Sequence, residues 1–260
     1  MVRYIKQAHA RVSAWLRTLP LLLIIPALLI SCGGDAESDR LLGLLETKLT
    51  DVPMQAGAWR KATGTENLDS VDVYADTCVS RGGKLSPDLL LKLGNVMLSR
   101  NQFAEAHRYF TQALNDANHA GETQKAAFAN GNMGLACIGM DSVEAAIGYL
   151  ERAASQEEEL GNLEAQAIEL RHLAMLVQLT GEGDDALKYM YVCRDIYRQI
   201  DNPELLAEYT WSIGFSHLVL DRPDSALVYL KEAQQLIKDN SLEDTPPFLD
   251  QVVDSLSRLP

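Results

Sequence analysis

Side chains able to do acid–base, nucleophilic or metal chemistry are scattered along this chain. The five histidines, His9, His107, His119, His172 and His217, form neither an HExxH pair nor a Cys/His set at zinc spacing. Cys78, Cys137 and Cys193 are too widely spaced, and odd in number, to be a disulfide framework. Gly181-Glu182-Gly183-Asp184-Asp185 stands at a turn between helices, not after a strand. Gly82-Gly83-Lys84 lacks the rest of a phosphate-binding loop. Glu157-Glu158-Glu159 reads as a solvated helix face. No catalytic residue, metal or cofactor is expected. The side chains that remain suit binding, above all Trp211 with Phe215 one helical turn later, since aromatic anchors commonly dominate binding energy.

The chain has 260 residues, 47% of them hydrophobic, and a formal charge of −13. Residues 1–31 hold four bases (Arg3, Lys6, Arg11, Arg17) and no acid, so over residues 32–260 the remaining 19 bases face 36 acids, a charge of −17. Such an acidic body repels phosphate backbones, and nucleic-acid binding is not expected.

The four bases precede an apolar run, Leu19–Ile30, that ends at Ser31-Cys32-Gly33. As a helix it would reach roughly 18 Å, short of about 30 Å of hydrocarbon, and Pro20 and Pro26 weaken it further. It fits the apolar part of a secretory signal. Leu29-Ile30-Ser31-Cys32 resembles the lipobox of bacterial lipoproteins. That resemblance implies cleavage before Cys32, acylation of Cys32 and anchoring by two or three chains in a bacterial cell envelope. Gly33, where an inner-membrane retention pattern would have Asp, implies the outer membrane. Residues 32–39 are expected as a flexible acidic tether. Residues 40–83 are expected as divergent helices capping an array: Leu41, Leu42, Leu44, Leu45 and Leu49 on one helix, a new start between Pro53 and Trp59, and a helix over Leu68–Val79.

From Gly94 to Ala233 one pattern is written four times at 40 residues. Gly94, Gly134, Ala174 and Gly214 share a column, as do Ala106, Ala146, Ala186 and Ala226, then Ala113, Ala153, Cys193 and Ala233. Tyr109, Tyr149, Tyr189 and Tyr229 make another. Turn residues keep the beat, at Asn101, Asp141, Gly181 and Asp221, then at Gly121, Gly161, Asp201 and Ser241. A fixed period of this length marks a repeat array. Apolar residues at i, i+3, i+4 and i+7 flank each turn, which predicts a helical hairpin, helix A then helix B. The small columns let A and B approach closely. Leu93, Met133, Leu173 and Ile213, with Phe110, Leu150, Met190 and Leu230, fill the seams. Cys137 and Cys193 fall at core columns as buried small hydrophobes. Asp141 with Glu144 predicts a capping box, and Pro223 the first turn of a B helix.

These columns resemble the tetratricopeptide repeat (TPR). The family's Leu-Gly matches Leu93-Gly94, Met133-Gly134, Leu173-Ala174 and Ile213-Gly214, and its two alanines match the 106 and 113 columns. The unit is 40 residues rather than the common 34, as in the long-helix variants of kinesin light chains, and the family's early Trp and closing Pro are absent. The resemblance implies an all-α, right-handed superhelical solenoid of about four antiparallel hairpins (87–123, 124–163, 164–203, 204–243, within 84–243). Capping helices precede it and follow it at 244–260, where Phe248, Leu249, Val252, Val253, Leu256 and Leu259 make an amphipathic face.

The resemblance assigns the inner wall to three positions per A helix: Leu91, Asn95, Leu98; Gly131, Leu135, Ile138; Arg171, Met175, Gln178; Trp211, Phe215, Leu218. These columns vary among copies while the packing columns repeat. They imply a groove for an apolar or amphipathic peptide or helix of another protein, with Arg171 pairing an acidic group. A second reading has the chain's own ends filling that wall. Asn95 and Asn132 match asparagines with which some family members clamp a carboxyl terminus, but Leu91 and Ile168 stand where that clamp needs bases. The expected function is a lipid-anchored scaffold, monomeric or dimerised through its last helix. A sensory module signalling to a membrane partner is the second possibility, and glycan capture a third.

Overall fold

A computed structural model describes residues 34–55, 68, 70–242, 246 and 248–258. The described residues form eleven α-helices: α1 (Gly34–Lys48), α2 (Val71–Ser80), α3 (Pro87–Ser99), α4 (Phe103–Ala120), α5 (Thr123–Gly139), α6 (Val143–Leu160), α7 (Leu163–Leu179), α8 (Gly183–Gln199), α9 (Pro203–Val219), α10 (Pro223–Asp239) and α11 (Leu249–Leu256). From α3 to α10 each helix packs on its neighbours in sequence, and α3 also touches α5. That is a stack of four A/B hairpins, with α3, α5, α7 and α9 as the A helices.

The period is explained by the turns. All eight turn positions of the array have left-handed backbone: Asn101, Asp141, Asp201, Asp221 and Ser241 at φ between 53° and 58°, and Gly121, Gly161 and Gly181 between 71° and 87°. After each, a backbone N–H reaches back to the last turn of the helix, as in Gln102 to Met97 (2.9 Å), Glu122 to Ala117 (2.9 Å), Ser142 to Cys137 (2.9 Å) and Asn162 to Glu157 (2.9 Å). This closes helix carbonyls that would otherwise be orphaned, and only Gly, Asn, Asp or a small polar residue enters that conformation cheaply.

The small columns work as spacers. A Cβ on Gly94 would stand 2.2 Å from the Phe110 ring, on Gly134 2.6 Å from Cγ of Leu150, and on Gly214 2.7 Å from Cγ of Leu230. Column 94 therefore faces column 110 inside every hairpin whose small residue is glycine. Ala106, Ala113, Ala146, Ala153, Ala226 and Ala233 are fully buried beside these seams. Pro223 does open α10, and Pro87 opens α3, where Ser86 Oγ accepts from the Leu89 N–H. The capping box is a correction. Asp141 is the left-handed turn residue, Ser142 is the cap, and neither makes the side-chain bond, because the hairpin turn has already set the backbone there.

The amino-terminal cap packs as an apolar extension of the first hairpin. Leu41 and Leu45 of α1, Leu49 just after it, and Val71, Ala75 and Cys78 of α2 join the core that holds Leu90, Leu93 and Phe110, while Leu44 faces outward. The expected tether needs correction where it is described: α1 begins at Gly34, Ser38 is buried, and its carbonyl accepts from the Cys78 thiol at 3.8 Å. At the other end, Leu249 and Val253 of α11 bury themselves against α10 and close the last hairpin. Leu259 and the helix start expected between Pro53 and Trp59 lie mostly outside the described residues, although Pro53 to Gln55 are non-helical.

Candidate peptide-binding groove

The wall made by the A helices carries a piece of the chain itself. After α1 ends, residues 49–55 run across α3, α5 and α7. Lys92 on α3 donates from Nζ to the carbonyls of Leu49 (2.9 Å) and Thr50 (3.4 Å), a cation placed at the carbonyl end of α1. Asn95, one turn further along α3, donates from Nδ2 to Pro53 O (2.6 Å) and Met54 O (3.1 Å). Asn132 on α5 donates to the same Met54 carbonyl (2.7 Å) and to Oδ1 of Asn95 (3.1 Å). Gln55 then donates from Nε2 to Oε1 of Glu169 on α7 (3.1 Å). The amides thus hold main-chain oxygens, which every peptide has, and only Glu169 meets a side chain.

Several expectations are corrected by this arrangement. Leu91 is wholly buried in the first core and offers nothing to a partner. Asn95 is equally buried, its amide taken by the chain's own backbone. Leu98 is half-buried on the first core, Ile138 on the second and Leu218 on the third, and Leu135 is also half-buried. Gly131 faces Glu169, whose Oε1 a Cβ there would approach to 2.6 Å. Arg171 is half-buried near Cys193, Tyr197 and Tyr209, whose acidities its charge partly restores against burial.

The distal half of the wall is open. Met175 and Gln178 are exposed on α7, as are Leu179 (78%) beside them and Val219 (76%) on α9. Between the two helices lies a cleft of about 270 Å³ lined by Gln178, Met190, Trp211, Ser212, Phe215, Ser216 and Val219. Trp211 and Phe215 meet edge to face at 5.4 Å, as expected of residues one turn apart. Phe248, just before α11, adds a third ring at 5.6 Å from Phe215. The carboxyl-terminal cap therefore walls one side of the aromatic pair instead of standing clear of it.

The remaining candidates are structural. His217 is buried, hydrogen-bonds Tyr191 through Nε2 (2.8 Å) and stacks on Tyr229 at 5.5 Å; burial and then the Arg222 charge hold its pKa below the ordinary histidine value. Cys78, Cys137 and Cys193 are buried thiols, and burial pushes Cys193 up to about 12, away from nucleophilic use. Glu157 is not on a solvated face. It is 1% exposed, accepts from Asn162 Nδ2 (2.8 Å), and its pKa is raised by burial. Among the described residues no group of His, Cys, Asp or Glu could hold a metal ion, and no helix is long and apolar enough to cross a membrane. His9 and Cys32 lie outside the described residues.

Lys92, Glu169, His172 and the segment Val52–Gln55 were not anticipated. Lys92, Asn132, His172 and Ser212 share one repeat column, polar in all four copies and adjacent to the buried column of Leu93, Met133, Leu173 and Ile213. A polar column beside a packing column was the available signal. Nothing local could announce which segment would lie on it.

No family model and no curated protein matches the sequence. Among solved structures, the chain is similar to MamA protein (TM-score 0.59, 17% identity, 82% of this chain and 98% of that one). It is similar to YrrB, described as a TPR protein with an unusual peptide-binding site (TM-score 0.54, 15% identity, 88% and 100%). It is also similar to aspartyl phosphate phosphatase F from Bacillus subtilis (TM-score 0.58, 14% identity, 87% and 56%), of which it spans little more than half. Identities this low show fold alone, and that fold is an all-helical, TPR-like solenoid.

Proposed function

We propose that the chain is a non-enzymatic protein-interaction scaffold, anchored through Cys32 to an envelope membrane, the outer membrane of a bacterium being the reading Gly33 favours. Its capture surface is the A-helix wall, and another protein's peptide or helix is the partner. One observation carries this reading: the wall already holds a non-helical segment, residues 52–55, by side-chain amides from two helices that close on its main chain. A surface built to hold one backbone segment can hold others in continuation, and the open cleft at Gln178, Trp211, Phe215 and Val219 lies further along the same wall. The apolar rim of Met175, Leu179 and Val219 suits an amphipathic segment. Likeness to a solved peptide-binding TPR protein supports the choice of partner class.

The test places a photo-crosslinking residue at Leu179 or Val219 in cells, with Cys32 intact or changed to Ser. One protein crosslinked at both positions, lost on Trp211→Ala with Phe215→Ala and absent from the membrane fraction with Cys32→Ser, is the expected result. Capture unchanged by the aromatic substitutions would overturn the groove, and unchanged membrane fractionation of Cys32→Ser would overturn the anchor.

A further inference from the structure

We infer that Glu169 with His172 forms a subsite for a lysine or arginine side chain of a non-helical peptide, and that Val52–Gln55 is the internal stand-in for that peptide. The inference rests on the scaffold reading and names the chemistry of its partner.

Glu169 is 3% exposed, and its carboxylate is only half used. Oε1 accepts from the neutral amide of Gln55, while Oε2 has no hydrogen-bond partner. His172 Nδ1 is 3.8 Å from Oε2, beyond hydrogen-bond reach though within ion-pair distance, and has no hydrogen-bond partner of its own. A buried charge is stable only when paired and fully hydrogen-bonded, so an orphaned oxygen here marks a donor that the internal segment does not supply. Gly131 is what lets the carboxylate lie on α5, since a Cβ at that position would stand 2.6 Å from Oε1 and 3.0 Å from Oε2. Leu91, Arg171 and Trp211 occupy the same column in the other copies, so the missing side chain is particular to the repeat facing Glu169.

An arginine at the register of Gln55 would give a second donor and a charge to both oxygens, in a planar fork that matches a carboxylate. The rest of the segment needs no particular sequence, because Asn95 and Asn132 hold carbonyls. The formal charge of −17 over residues 32–260 draws a basic peptide toward the wall.

Two arms test this on the full chain. In the first, Gln55 is changed to Arg or Glu and amide hydrogen exchange of residues 52–55 is followed. Gln55→Arg should slow exchange about tenfold, the ratio expected when a neutral bond becomes a charge-assisted pair, and Gln55→Glu should speed it. In the second, the synthetic peptides LTDVPMQ, LTDVPMR and LTDVPME compete for the wall. The Arg peptide should bind about tenfold more tightly than the Gln peptide and the Glu peptide least, an order abolished by Glu169→Gln. Should Glu169→Gln fail to fold, the first arm decides alone. Equal exchange in all three chains, or peptides bound without regard to the last residue, overturns the subsite and leaves the scaffold reading to its crosslinking test. Binding of no peptide together with unchanged exchange overturns it too, showing Val52–Gln55 to be a fixed strap.

Discussion

Asn132 holds the carbonyl of Met54 at 2.7 Å, across 78 positions of sequence, and shares it with Asn95. This pair fastens the segment after α1 to the wall. Replacing both asparagines with alanine should lower the melting temperature by about 2–6 °C, the loss of roughly one to two net hydrogen bonds in a chain of this size. Proteolytic cleavage between Leu49 and Gln55 should become faster while α8–α10 stay protected. Unchanged cleavage would show that apolar contacts of Val52, not the amides, hold the segment.

Gly94 and Phe110 set the closest A/B approach. Gly94→Ala should cost about 1–3 kcal/mol through overpacking, measured by urea unfolding, because an aromatic ring cannot bend away. Gly134→Ala meets Leu150 instead and should cost less. The third repeat already has Ala174 in the first column and a methionine, Met190, in the column that holds Leu150. Adding Leu150→Met to Gly134→Ala should therefore recover most of the loss, since an unbranched side chain yields to the extra methyl.

Glu157 gives the chain a pH signature. Burial raises its pKa, the Asn162 amide opposes this, and Glu169 adds to it. Folded, it takes up its proton at higher pH than the unfolded chain does. Between the ordinary carboxyl value and the raised one, rising pH therefore costs stability. Glu157→Gln should melt about 2–4 °C higher than wild type at pH 7, with the difference gone near about pH 4, where both forms are neutral. A constant difference across that range would deny the titration.

The turns can be tested by exchange of residue types. Gly161 sits at φ 72° and Asp141 at φ 58°. Gly161→Ala should lose about 1–2 kcal/mol for its left-handed backbone. Asp141→Gly should be neutral or gain up to about 1 kcal/mol in the same denaturation assay, relief of the backbone being offset by chain entropy.

The sequence by itself determined the hairpins, their turns and their seams. Each of these depends on contacts between residues a few to about forty positions apart, and four copies in register make such contacts legible: Gly94 against Phe110 is repeated as Gly134 against Leu150 and Gly214 against Leu230. It also pointed to Trp211 and Phe215, because a turn of helix puts them together. What only the tertiary structure decided occurs once and joins distant parts. The seating of Pro53 and Met54 on Asn95 and Asn132, Gln55 against Glu169 across 114 positions, Phe248 on Phe215 and the early start of α1 at Gly34 have no repeat to betray them. The inner-wall columns vary from copy to copy because side-chain packing does not fix them. A variable column is free to serve a partner, a segment of the same chain or the core beneath, and which of these it serves depends on what the folded chain brings against it.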